Sequence, residues 1–193
     1  MTSLNWDEVH LLLHAAGETP WEPMLRLSIY TGMRRSEVLG LRWRDVDLDQ
    51  GFLSVTQVLH QLRTDKRLVF TRPKTARSRR SVSLPTNAVA MLRAHREREE
   101  AICADQGAAF IIDRLVFCYP GGAPIPPHRF THAFGQIADK IGLNNVRLHD
   151  LRHTHASLML ADGVHPKVVQ ERLGHASIAI TMDLYSHVVP GLH

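Results

Sequence analysis

The chain has 193 residues, 44% of them hydrophobic and 22% charged, with a net charge of +4, a size and balance suited to one globular domain with a real core. No run approaches the roughly 18 to 20 apolar residues that a membrane-crossing helix needs, and no basic stretch followed by an apolar one opens the chain. Cys103 and Cys118, its only cysteines, are too few for a disulfide framework and lack metal-ligand spacing, so a cytoplasmic protein without membrane association is expected.

In chain order, LNWDEVHLLLHAAG places Val9, Leu12 and Leu13 at helical spacing behind acids in its first turn. A second helix is expected over Trp21 to Thr31, with Pro23 tolerated in its first turn and Gly32 ending it. RRSEVLGL starts a short third. Phe52 to Leu59, Leu68 to Arg72 and Arg80 to Leu84 then read as strands of a three-stranded antiparallel meander. Thr86 to about Asp105 returns to helix, with Thr86 as its cap, and further helices are expected at His128 to Ile141, His149 to Ala161, Pro166 to Leu173 and Ser177 to Val188. The class is α+β: a mostly helical domain with a small three-stranded antiparallel sheet inserted after the third helix.

Two stretches carry unusual chemistry. RPKTARSRR, Arg72 to Arg80, holds five cations in nine residues and no acid, a one-sign patch of the kind that grips a polyanion. HDLRHTHAS, His149 to Ser157, sets three histidines, an aspartate and an arginine at the start of a helix. Its HDLRH spacing is superficially that of a zinc protease, but Asp150 is a methylene shorter than the required base, Arg152 would oppose a dication, and no third ligand follows at the usual distance. Taken singly, each histidine fits a solvated helix start. His149 and Arg152, three residues apart near a helix N-terminus, together fit an anion such as phosphate.

TGMRRSEVLGLRW, RPKTARSRRSVSL, RLHDLRHTHAS and LGHASIAITMDLYSHV resemble, in order and approximate spacing, the motifs of the catalytic domain of the tyrosine recombinases, the phage-integrase family. The resemblance covers almost the whole chain and implies the fold of the DNA breaking-rejoining enzymes. It assigns Arg34, Lys74, His149, Arg152 and His175 to catalysis, Tyr185 to the nucleophile and Glu37 to support. The chemistry implied is cleavage of a DNA strand through a 3′-phosphotyrosine link. Arg34 and Arg152 would stabilise the phosphoryl oxygens, His149 would accept the phenol proton, Lys74 on a hairpin would protonate the departing 5′ oxygen, and His175 would bond a phosphate oxygen. No cofactor or metal is implied, because the phosphotyrosine conserves the energy of the broken bond.

Arg72, Arg77, Arg79 and Arg80 are expected to contact DNA phosphates. Residues 1–193 would form a single catalytic domain, lacking the family's N-terminal core-binding domain and truncated in its C-terminal tail. Double-stranded DNA carrying att-like sites is the expected partner, with a homotetramer in the full-length synapse and a monomer for this chain alone. Within the family, PKTARSRRSVSLP and LGHASIAITMDLYSHV look more like integrases of phages and conjugative elements than chromosome-dimer resolvases. A type IB topoisomerase-like activity and a catalytically inactive DNA-binding fragment are the competing readings.

Overall fold

The computed structural model describes residues 2–17, 19–75, 78–175, 177–179 and 181–182. Helix α1 (Trp6–Ala16) begins at a reciprocal cap: the Asn5 side chain accepts from the Glu8 N–H, and Glu8 reaches back to the N–H of Asn5. Helix α2 (Glu22–Thr31) carries Pro23 in its first turn and ends at Gly32, whose φ of +63° is left-handed. Met24, Leu25, Leu27 and Ile29 are all buried, so α2 is a central post around which the other helices pack. The short α3 (Arg35–Gly40) follows at once.

Two small sheets, rather than one meander, lie between α3 and α4 (Thr86–Asp105). Strands β1 (Val46–Asp47), β2 (Phe52–Ser54) and β5 (Ser81–Ser83) form one antiparallel sheet in the order β1-β2-β5, with Leu53 opposite both Val46 and Val82. Strands β3 (Val58–Gln61) and β4 (Leu68–Thr71) form a separate antiparallel ribbon. The expected continuous strand Phe52 to Leu59 is therefore broken at Val55 to Gln57. Arg42 Nη2 donates to the Thr56 hydroxyl (3.0 Å) and Gln57 Nε2 donates to the Gly40 carbonyl (2.9 Å), which draws the chain off the first sheet and onto α3. A Cβ on Gly40 would stand 2.9 Å from the Cα of Val58, so only glycine lets α3 meet β3 backbone to backbone. RPKTARSRR is consequently not a hairpin tip. It is the crossing from one sheet to the other.

α4 has the expected bounds, but its cap position is Pro85, not Thr86, and no side-chain oxygen caps it. Helices α5 (Pro127–Lys140), α6 (Asp150–Ala161) and α7 (Pro166–Leu173) complete the described elements. The main core joins α1, α2, α4 and α5, with Trp43, Phe130 and Phe134 fully buried and Trp21 stacked on Phe130. Each such side chain contributes about 1.5–3 kcal/mol of burial free energy. α6 and α7 also share a separate small cluster of Ala156, Leu160, Val169 and Leu173. Of the helix expected at Ser177 to Val188, Ile178, Ala179, Thr181 and Met182 are helical; the rest, Tyr185 included, lies outside the described residues.

Candidate active site

Arg34 and Glu37 sit at the start of α3, which begins directly after the left-handed turn at Gly32. The Glu37 carboxylate accepts from the Arg34 backbone N–H (2.8 Å) and from Arg34 Nη1 (2.8 Å), which fixes both the helix start and the guanidinium. It also accepts two bonds, each 3.0 Å, from the Arg80 guanidinium. Burial by itself would push the Glu37 carboxyl up; Arg80 first, then Arg34, outweighs it and holds the group below the usual carboxylate range.

Arg80 thus takes a different part from the one expected of it. Its side chain is only 6% exposed, and its Nε donates to the Arg172 carbonyl at 2.6 Å. A guanidinium so placed is turned from solvent onto Glu37, where an exposed side chain was expected. It neutralises Glu37, which in turn aims Arg34.

In HDLRHTHAS each polar residue but one finds a partner or a surface. His149 is the last residue before α6, and Arg152 is buried in the first turn. Arg152 Nη1 donates to the Gly32 carbonyl (2.7 Å) and Nη2 to the Leu173 carbonyl (2.6 Å), tying the end of α2 to the end of α7. Among the described residues two of its five N–H donors are so used. Burial, with Arg34 and Arg80 nearby, lowers Arg152 to about 9, still cationic at neutral pH. Asp150 closes a turn by accepting from the Arg147 backbone N–H (2.9 Å), and Thr154 ties α6 to the N-terminal segment through the Leu4 N–H.

The expected anion-binding helix terminus does not form in the way supposed. The backbone N–H groups of Asp150, Leu151 and Arg152 already donate to the carbonyls of Arg147, Leu148 and His149. Side-chain guanidinium groups, not free amides, supply the positive field.

Arg34, His149 and Arg152 line one open cleft of about 700 Å³. Arg35, Arg63, Lys66 and Arg147 line it too, with His60 and His128, and among the described residues no aspartate or glutamate does. Burial, with Arg152 beside it, lowers the pKa of His149, so the imidazole is neutral at pH 7. The His153 ring stands edge-on to that of His149, 5.1 Å between centroids, and its buried Nδ1 has no hydrogen-bond partner among the described residues. His175 follows the left-handed Gly174; its Nδ1 lies 3.0 Å from the Thr181 hydroxyl, and burial, with Arg152 and Arg34 close by, brings it down to about 4.

Lys74 stands exposed on the crossing between the sheets and is not part of the cleft lining. Arg72 and Arg79 line a second groove of about 470 Å³ with Arg42 and Arg44. Arg77 and Tyr185 fall outside the described residues. Arg63 and Lys66, in the turn of the β3–β4 ribbon, are not among the residues expected from the sequence, because nothing in LRTDKR marks that turn as lining a cleft with the start of α3. Arg172 escaped it too, although an arginine in the last turn of a helix just before LGH was a signal worth following.

The sequence pattern described as the phage integrase family matches residues 2–190. The chain is 31% identical to a "tyrosine recombinase XerC-like" protein of Caldanaerobacter subterraneus subsp. tengcongensis, over 95% of this chain and 50% of that one. It is also 31% identical to the ICEBs1 integrase of Bacillus subtilis, over 85% of this chain and 44% of that protein. It therefore spans about half the length of the curated relatives it matches. Its fold is similar to that of the Tn1549 transposon integrase solved in complex with transposon right end DNA, with a TM-score of 0.81 at 22% identity over 97% of this chain and 62% of that one. It is likewise similar to the XerA recombinase, with a TM-score of 0.74 at 24% identity over 98% and 61%.

Proposed function

The chain belongs to the phage integrase family, and from that premise we propose that it is the catalytic domain of a site-specific tyrosine recombinase that integrates and excises a mobile DNA element. One observation carries the reading: two guanidinium groups from distant parts of the sequence, Arg34 and Arg152, meet a neutral imidazole, His149, on a single cleft lined, among the described residues, by cations and no acid. A cleft of that kind holds a phosphodiester and rejects most neutral ligands.

The chemistry follows from the groups. Attack on phosphorus gathers negative charge on the non-bridging oxygens, and the free donors of Arg34 and Arg152 stabilise it. Tyr185 forms the new O–P bond while its phenol proton passes to neutral His149 and the bond to the 5′ oxygen breaks. Lys74 gives that oxygen its proton. His175, neutral and engaged at Nδ1 by Thr181, has Nε2 left to donate to a phosphate oxygen. Rejoining is the same path reversed. Arg72, Arg77 and Arg79 supply sequence-blind contacts along the backbone, while Arg80 acts through Glu37. Double-stranded DNA is the substrate; a tetramer forms in the complete synapse, and this chain alone is a monomer.

The test is covalent capture. A nicked duplex that traps the intermediate is expected to leave DNA attached to the wild-type protein in denaturing gels and none attached to Tyr185→Phe. An adduct that survives in the Phe variant overturns the nucleophile. Arg152→Ala is expected to slow capture about 10²- to 10³-fold, the range for a lost oxyanion donor. Cleavage of any duplex without preference for a site would favour the topoisomerase-like reading instead.

A further inference from the structure

Arg172, in the last turn of α7, is held by four hydrogen bonds to four neutral acceptors on three other elements. Its Nε donates to His155 Nε2 on α6 (3.0 Å), Nη1 to the Ser83 hydroxyl on β5 (2.6 Å), and Nη2 to the carbonyls of Tyr30 on α2 (3.0 Å) and of Ser83 (2.8 Å). The first bond fixes a tautomer. Arg172 is always a donor, so His155 Nε2 must carry the lone pair, and the ring proton must sit on Nδ1, 2.8 Å from the Ile29 carbonyl. Burial, with Arg172 adjacent, keeps His155 down to about 3, so it remains neutral.

The segment that Arg172 anchors belongs to the site. The Arg172 carbonyl accepts from Arg80 and the Leu173 carbonyl from Arg152, while His175 follows two residues later. The His155 ring also lies against Gly32: a Cβ there would fall 2.7 Å from His155 Cδ2 and 2.5 Å from Leu173 Cδ2. The small α6–α7 apolar cluster offers no comparable directional hold on this segment.

We propose that His155 and Arg172 are a positioning pair that locks the end of α7, and through it Arg152, Arg80 and His175, into the geometry that receives the phosphate. The pair touches no reacting atom. It acts by giving the helix end one orientation, where an apolar contact would allow several. The proposal rests on the recombinase reading for what the geometry is used for, though not for the coupling itself.

Its test compares His155→Phe, Arg172→Leu, the double variant and His155→Gln with wild type, using a nicked duplex that the wild-type protein captures covalently from a randomised pool. His155→Phe strands Arg172 Nε, and Arg172→Leu strands the acceptors on His155, Ser83 and Tyr30. Each single variant is therefore expected to lose on the order of 10²-fold in capture rate at saturating DNA, the scale of a displaced catalytic group, with DNA affinity little changed. The double variant lacks the same Arg172 bonds as Arg172→Leu and is expected to fall no further than that single variant, because both changes break one lock. His155→Gln, which keeps an acceptor near Nε2, is expected to retain more activity than the Phe variant.

Amide hydrogen exchange in the absence of DNA gives an independent reading: protection of residues 173 to 175 should fall in each single variant, and in the double by no more than in Arg172→Leu. Unchanged protection, or capture at the wild-type rate in His155→Phe and Arg172→Leu, overturns the proposal. Wild-type protein that captures no duplex overturns the recombinase reading instead, and the exchange measurement still decides the pair.

Discussion

The frame built on α2 and the α6–α7 corner are held by different forces. Around α2, interior packing of Leu25, Leu27, Phe130, Phe134 and Trp43 supplies a large and non-directional stabilisation. At the corner the apolar contribution comes from Ala156, Leu160, Val169 and Leu173, and guanidinium groups bonded to carbonyls and to an imidazole do the aligning. The frame decides whether the chain folds; the corner decides whether the folded chain has a site. Packing tolerates small shifts of an atom, whereas a hydrogen bond weakens steeply as its angle bends, so precision is concentrated where the chemistry is expected.

Glu37 joins the two regions, and Glu37→Ala should have the largest effect. It leaves Arg80 buried without its carboxylate, and a loss of about 3–5 kcal/mol is expected from urea unfolding, together with loss of covalent capture. A loss within experimental error would show that the ion pair is dispensable. Next, Leu25→Ala and Leu173→Ala carry the same chemical change into the two regions. Both fall within about 2–5 kcal/mol, Leu25→Ala at the upper end with global unfolding and Leu173→Ala at the lower end with exchange rising first in α6 and α7. Equal global losses would mean that the corner is part of the frame after all.

Acid should separate the regions further. His155 and His175 fall from an ordinary 6.5 to about 3 and about 4, burial first and neighbouring guanidinium groups second. The unfolded chain therefore takes up protons near pH 6.5 that the folded chain refuses, so their stabilising contribution is complete above about 6.5 and is lost as pH falls through that window. Glu37, held below the usual carboxylate range, loses its contribution only at lower pH still. Chemical denaturation between these limits should show the decline in wild type and a flatter curve in the His155→Phe, Arg172→Leu double variant; identical slopes would count against the histidine assignment. The smallest effect is expected at the exposed Arg44–Asp113 pair: Asp113→Asn should leave the melting temperature unchanged, as solvent screening implies.

Much of this was legible before folding was considered. Gly32 stops α2, α4 spans Thr86 to Asp105 and α7 spans Pro166 to Leu173 as periodicity and turn residues indicated, because these signals are local. The four motifs also led to Arg34, His149 and Arg152, which do share a cleft. What local reading missed depends on tertiary approach. The strand at Phe52 breaks because Gly40 lets α3 touch β3, and no pattern within residues 52 to 59 records that. Arg80 looked like its neighbours in a basic run and differs from them only because a buried carboxylate lies within its reach. His155 and Arg172 are separated by a turn and a small apolar cluster, and neither announces the other in sequence.

The carbonyl partners of Arg152 have one more consequence. A carbonyl satisfies an N–H donor without cancelling its charge, so Gly32 and Leu173 can hold the Arg152 guanidinium rigid while leaving most of its electric potential directed outward. Carboxylates in those places would have given equal order and an electrically quenched hollow. The arrangement resembles a charged plate clamped by insulators: its field is established before any anion arrives, and no side chain need reorganise to create it.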